Sequence, residues 1–78
     1  MYNLRAYTYI EDGTQFWGAR IVGPNGETIG ELYDLDEQGL REQLAEGLLQ
    51  ARLGPDDFDG LSRDEVALIL QEYQEKYG

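Results

Sequence analysis

The dipeptide Asp12-Gly13, set between two runs of aromatic and aliphatic residues, most constrains how this chain can fold. Asp-Gly is typical of a two-residue hairpin turn, because glycine adopts a positive φ at little cost and aspartate tolerates one better than most residues. The segment Tyr2–Val22 is therefore predicted to be an antiparallel β-hairpin. The predicted cross-strand pairs are Glu11 with Thr14, Tyr9 with Phe16, Tyr7 with Gly18 and Arg5 with Arg20.

A second turn is predicted at Gly23-Pro24-Asn25-Gly26, where proline presets φ and Asn-Gly reverses the chain. The segment Thr28–Tyr33 then supplies a third strand. If Asn25-Gly26 forms the corner, the register of this strand against the second is fixed. The predicted pairs are Val22 with Ile29, Arg20 with Glu31 and Gly18 with Tyr33, and the second of these sets opposite charges across from each other.

Two helices are predicted after the strands. The first covers roughly Glu37–Leu53, with Asp34 or Asp36 as N-cap and a stop at Gly54-Pro55. Its apolar stripe is Leu40, Leu44, Leu48 and Ala51. The second helix is predicted to begin at a capping box formed by Ser62 and Glu65, with a hydrophobic staple between Leu61 and Val66. Its apolar face is Val66, Ile69, Leu70, Tyr73 and Tyr77.

This order predicts a single α+β domain over residues 1–78, with a three-stranded antiparallel meander followed by two helices on one face. Strand side chains alternate between faces, and the face with more aliphatic residues is assigned to the core. The core face carries Leu4, Ala6, Thr8, Ile10, Trp17, Ala19, Ile21 and Leu32. The other face is predicted to be open and to bind a partner or a second copy through Arg5, Tyr7, Tyr9, Phe16, Arg20 and Tyr33. Cross-strand aromatic residues that only stabilise the hairpin are the alternative.

The chain has a net charge of −10, which opposes binding to nucleic acid or an anionic membrane and favours a basic partner. The charge is uneven, since residues 31–78 hold thirteen acids against four basic residues. Such a surface can imitate a phosphate backbone and occupy a basic nucleic-acid groove. The acids expected to contact that partner are Glu42, Glu46, Asp56, Asp57, Asp59 and Asp64. A helix surface that is merely solvated is the alternative.

Catalytic and cofactor motifs are not found. The chain has no cysteine and no histidine, which excludes thiolate metal sites and histidine-assisted nucleophiles. The run around Asp57-x-Asp59-Gly60 has the residue types of a calcium loop but not its spacing, because Pro55 and Val66 would fall at ligand positions. No glycine-rich phosphate loop is present. We therefore expect a protein that is not an enzyme and that uses no cofactor or metal.

Two resemblances follow from these features. The segment LRAYTYIEDGTQFWGARIVG, with the strand and amphipathic helix after it, resembles the small antitoxin domain of HicB type over about two-thirds of the chain, although the proline-rich segment of that family is absent. The whole chain resembles anti-CRISPR proteins in size, acidity and lack of catalytic residues. That class implies binding to a CRISPR effector at its DNA-binding or subunit surfaces. Neither family assigns a role to a particular residue.

The protein is expected to inhibit a nucleic-acid-handling protein complex, as an anti-CRISPR-like phage protein that binds a basic surface such as that of a CRISPR effector subunit. The alternative is an antitoxin-like or homodimeric interaction module that uses the open aromatic face. A purely structural or designed domain is a third interpretation. No run of about 18 apolar residues and no signal pattern is present, so a cytoplasmic protein is expected.

Overall fold

A computed structural model describes every residue from Met1 to Gly78. The three strands form one antiparallel sheet in the order β1-β2-β3, so that β1 and β3 are its edges. This β-β-β-α-α architecture confirms the predicted α+β fold. The elements are β1 (Asn3–Glu11), β2 (Thr14–Val22), β3 (Thr28–Asp34), α1 (Glu37–Gln50), a 3-10 turn (Pro55–Asp57) and α2 (Gly60–Tyr77).

The β1–β2 hairpin has the predicted register at every pair. Asp12 and Gly13 both have positive φ, at 51° and 78°, as the central residues of a type I′ turn must. This turn matches the right-handed twist of the strands that it joins, and it thereby fixes which residues of β1 and β2 share a face.

The β2–β3 register is confirmed at Arg20 with Glu31 and at Gly18 with Tyr33, but it is wrong at the turn end of the strands. There Val22 pairs with Thr28, because the register shifts by one residue between Ile21 and Val22. The prediction assumed an unbroken ladder from the Asn-Gly corner. A bulge adds one residue to one strand, and the hydrophobic pattern carries no trace of it.

Both helices pack on the same face of the sheet, as predicted. Leu44 and Leu48 of α1 and Val66 and Ile69 of α2 are buried in one cluster with Ala19 and Ile21 of β2. Phe58, which lies in the acidic loop between the helices, is fully buried in the same cluster and contacts the Tyr2 ring at 6.0 Å between centroids. The helices do not cover the whole of β1: Ile10 remains 74% exposed, and Ala6 and Thr8 are exposed as well, although the pattern assigned all three to the core.

The first helix ends at Gln50 rather than at Leu53, because the chain leaves it through a Schellman motif. The Arg52 N–H donates to the Leu49 carbonyl oxygen, and the Leu53 N–H donates to the Leu48 carbonyl oxygen at 2.9 Å. Arg52 itself has a φ of 59°. Asp36 is the N-cap residue, as one of the two predicted alternatives, but its side chain makes no capping bond.

The capping box predicted for the second helix is wrong. The helix begins three residues earlier, at Gly60, and Asp59 rather than Ser62 occupies the N-cap. The Ser62 hydroxyl instead accepts the Leu4 backbone N–H at 3.1 Å, so it covers one polar group of the β1 edge. The hydrophobic staple is also wrong, because Leu61 is 87% exposed.

Candidate interaction surfaces

The sheet face opposite the helices carries a connected set of aromatic rings, which we call the aromatic face. Tyr9 lies at its centre. Its ring stacks on Phe16 at 5.3 Å between centroids, meets the edge of Tyr33 at 5.7 Å and lies 6.2 Å from Tyr7. The hairpin turn and the β2–β3 pairing put these four residues on neighbouring strands with their side chains on one side. The rings therefore form one patch, and no helix covers it.

Charged side chains lie in the middle of the aromatic face. Glu31 accepts hydrogen bonds from the Arg20 guanidinium, the shorter at 2.8 Å, and from the Tyr7 hydroxyl at 3.2 Å. The bonds from Arg20 hold the pKa of Glu31 below its usual value, and the same pairing raises the pKa of Arg20. Glu31 was predicted to pair with Arg20 but was not included among the residues of the binding face, although that pairing was the available signal.

Gly18 gives the Tyr7 ring its position. A Cβ at residue 18 would lie 2.5 Å from the Tyr7 ring, so the ring occupies the space that any other side chain would fill. An aromatic residue that covers a cross-strand glycine restores the packing that the glycine lacks. The pair explains why a glycine is accepted in the central strand of the sheet.

Arg5 is the remaining predicted residue of the aromatic face. It is exposed on β1 and takes part in no salt bridge, unlike Arg20. Of the six basic residues in the chain, only Arg5 and Arg52 lack a carboxylate partner. The structure therefore brings all six predicted residues to one face, with one free cation at its edge.

The six acids predicted to bind a basic partner lie in two groups. Glu42 and Glu46 stand on α1 beside the C-terminal end of α2, where Glu42 pairs with Lys76 and accepts the Tyr77 hydroxyl at 2.9 Å. These contacts, the Lys76 bond foremost, hold the pKa of Glu42 below its usual value. The second group surrounds the other end of α2 and consists of Asp56, Asp57, Asp59 and Asp64. About 25 Å of helix separates the two ends.

The second acidic group is the less neutralised of the two. Asp59 and Asp64 are exposed and make no salt bridge or side-chain hydrogen bond, while Asp57 accepts the Gly54 backbone N–H at 2.9 Å. Asp56 pairs with Arg63 at 3.2 Å, but its side chain is 94% exposed, so the pair contributes little. A basic surface that approaches this end of α2 therefore meets four carboxylates, of which only that of Asp56 has a cationic partner, Arg63.

Arg41 joins the two helices, a role that the sequence reasoning missed. Its guanidinium pairs with Glu65 at 2.6 Å and with Glu72 at 2.7 Å, and its side chain is only 18% exposed. Burial alone would lower the pKa of Arg41, but hydrogen bonds to Glu72 and Glu65 reverse that effect and leave it raised. Glu65 lies where a capping box was predicted, so its actual partner could be found only once the helices were packed.

Two grooves flank the helical layer. One, of about 240 Å³, runs between β3 and α1 and is lined mainly by apolar residues, among them Ile29 and Leu53. The other, of about 470 Å³, runs between the β1 edge and α2, where Ala6, Leu61 and Leu68 are exposed. No group of three or more acidic side chains is arranged to hold a metal ion. Neither helix combines the length and the apolar composition needed to cross a bilayer.

Comparison of the chain with protein-family models, with curated proteins and with solved structures gives no match.

Proposed function

We propose that this protein is a non-enzymatic inhibitor that binds a basic surface of a nucleic-acid-handling protein complex. The observation that carries the proposal is the excess of unpaired carboxylates on the helical side. Five of the sixteen acids form salt bridges, which leaves eleven without a cation. Eight of these eleven belong to residues 34–78: Asp34, Asp36, Glu37, Glu46, Asp57, Asp59, Asp64 and Glu75.

A basic groove built for nucleic acid is the kind of surface that this charge distribution fits. Such grooves hold lysine and arginine residues that neutralise phosphates. Fixed carboxylates on α2 and on the loop before it would replace those phosphates and would speed the encounter through long-range attraction. Because the chain resembles the anti-CRISPR class in size and charge, the proposed target is a CRISPR effector subunit in the cytoplasm of the host cell.

Affinity capture with matched baits tests this function. The wild-type protein, the Asp59→Lys/Asp64→Lys variant and the Glu27→Lys/Glu75→Lys variant would each be immobilised and exposed to host lysate. The two variants carry the same change in net charge, but only the first removes carboxylates at the N-terminal end of α2. We expect the wild type and the second variant to retain a nucleic-acid-binding protein that duplex DNA displaces, and the first variant to lose it.

Two outcomes would contradict the proposal. A retained protein that binds all three baits equally would show that the acids near α2 are not the contact. A retained protein that DNA does not displace would show that the contact is not the nucleic-acid surface.

A second candidate function rests on the aromatic face, which supports a protein-interaction module of antitoxin-like or homodimeric type. Tyr and Phe bury much area at little entropic cost, and their rings are already packed against one another in the free protein. Phe16→Ala would then weaken partner binding or dimerisation while the acidic variants leave it unchanged.

A further inference from the structure

The β1 edge holds the feature that the proposed function leaves unused: a short strand segment with free backbone groups. The Leu4 N–H points outward to Ser62, and the Tyr2 N–H points outward to the Asp57 carbonyl oxygen. Alternate residues of an edge strand direct their polar groups outward, so those of Ala6, Thr8 and Ile10 do the same. None of these three is covered by another element, and Ile10 is 74% exposed.

We propose that this edge pairs with β1 of a second copy of the chain, antiparallel, about a two-fold axis at Thr8. In this register Ala6 pairs with Ile10 of the second copy, and Thr8 pairs with its own equivalent. The three free residues of each copy then exchange all their outward hydrogen bonds, while the groups of Leu4 and Tyr2, which are already bonded, lie outside the ladder. The product is a continuous six-stranded sheet.

The side chains independently favour the same register. It sets Arg5 opposite Glu11 of the second copy, twice by symmetry, and each of these residues is exposed and without a salt bridge in the single chain. It also sets Tyr7 opposite Tyr9 of the second copy, so that the two aromatic faces join into one. Opposite charges and aromatic rings are favourable cross-strand pairs. A slip by two residues in either direction loses the charge pairs and pairs the edge with Leu4 or Asp12.

Exposed apolar side chains on the helix side of the β1 edge would also be buried by the second copy. Ile10 of the second copy would lie against Ala6, beside the groove where Leu61 is 87% and Leu68 46% exposed. These side chains have no cover in the single chain. Their burial in the dimer is favourable, and it would explain an exposed apolar patch next to an open strand edge, a combination that otherwise promotes aggregation.

A second copy fits this edge better than the basic partner of the proposed function does. Residues 1–30 carry three acids and two basic residues, so the strands that would pair come from the nearly neutral half of the chain, while Asp64 and Glu65 of α2 line the adjacent groove. The inference does not depend on the proposed function.

Sedimentation equilibrium over a range of protein concentrations tests the dimer. We expect Arg5→Glu and Glu11→Arg each to weaken dimerisation about tenfold, because each creates like-charge pairs at two symmetric positions. The double variant Arg5→Glu/Glu11→Arg should restore it. The single changes move the net charge in opposite directions, so a general charge effect could not weaken both. Glu27→Arg, which matches Glu11→Arg in charge but lies off β1, should have no effect.

Thr8→Pro tests the backbone contact directly. Proline removes only an outward N–H that the single chain does not use, and edge strands accept it, so the circular dichroism spectrum should persist while the dimer is lost. Thr8→Val keeps the N–H and should keep the dimer. A wild-type protein that is monomeric up to millimolar concentration would overturn the proposal. So would a dimer that survives Thr8→Pro and dissociates in Phe16→Ala, since that result places the interface on the aromatic face.

Discussion

Arg52 adopts the left-handed backbone conformation, with φ at 59°, at the position after the α1 C-cap where helices most often place glycine. A side chain with a Cβ costs about 1 kcal/mol or more in this conformation. Arg52→Gly should therefore raise the free energy of unfolding by about 0.5–1 kcal/mol, as measured by urea denaturation. Arg52→Ala is the matched control, because it removes the same charge but keeps the Cβ. Equal stability of the two variants would contradict this account.

The predictions that failed most often were those about the roles of single residues. Gly54-Pro55 is a typical helix stop, yet the helix ends earlier at a residue with no glycine signal. Ser62 and Glu65 have capping-box spacing, yet they bond to Leu4 and Arg41 on other elements. The early end of α1 comes from a local Schellman motif that a non-glycine residue adopts. For Ser62 and Glu65, local chemistry permits more than one partner, and only tertiary packing decides between them. The paired charges of Arg20 and Glu31 were predictable because hairpin geometry alone sets them opposite each other.

Helices and strands were predicted correctly where the spacing of apolar residues is regular and the turn residues are typical. The hairpin, its register and most of the apolar face of each helix follow from turn chemistry and spacing. Ala51 and Tyr77, which the spacing also assigned to those faces, are exposed. The Ile21/Val22 bulge and the burial of Phe58 do not follow from turn chemistry or spacing, because a bulge leaves no pattern and Phe58 stands between acidic residues in a segment that reads as a solvated loop. For the candidate surfaces, the sequence predicted membership of the aromatic face, but not that α2 would separate the predicted acids into two groups.

At the helix pair, Glu42 should stabilise the fold in a pH-dependent way. Its pKa is lowered in the folded protein relative to about 4.3 in the unfolded chain, chiefly by the hydrogen bond with Lys76. The stabilisation is therefore present above that unfolded value and is lost as the pH falls through the folded pKa. We expect Glu42→Gln to lower the free energy of unfolding at pH 7, with the deficit disappearing toward pH 3.

Glu46→Gln is the control for this measurement, because Glu46 lies one turn further along α1, makes no salt bridge and undergoes the same change in charge. Denaturant titrations of the two variants between pH 7 and pH 3 should differ at the upper end and converge at the lower. A Glu42→Gln deficit that persists at pH 3 would mean that the carboxylate charge is not the cause.

The whole molecule divides into two chemically different sides, and this division sets what it can bind. The β1 edge and most of the aromatic face belong to residues 1–30, which are nearly neutral, while most unpaired carboxylates belong to residues 34–78, which include both helices. One side is thus suited to contacts that bury apolar area, and the other to attraction of a basic surface.

The same charge distribution predicts how the protein responds to salt. Five salt bridges stabilise the fold, but they are mostly exposed, and exposed pairs contribute little. A net charge of −10 on 78 residues opposes the compact state through self-repulsion, and salt at 0.1 M screens charges beyond about 10 Å. Repulsion acts over longer distances than the bridges, so screening should remove more repulsion than attraction.

We therefore expect added NaCl to raise the melting temperature, by about 4–8 °C for each kcal/mol of repulsion relieved. Calorimetry at one low protein concentration, from low salt to moderate salt, measures the shift. Glu75→Lys lies in the last turns of α2, where a positive charge is also favoured by the helix dipole, and makes the chain two charges less negative. This variant should melt higher at low salt and respond less to NaCl. A melting temperature that falls with salt would show instead that the ion pairs joining α1 and α2 dominate the electrostatics of the fold.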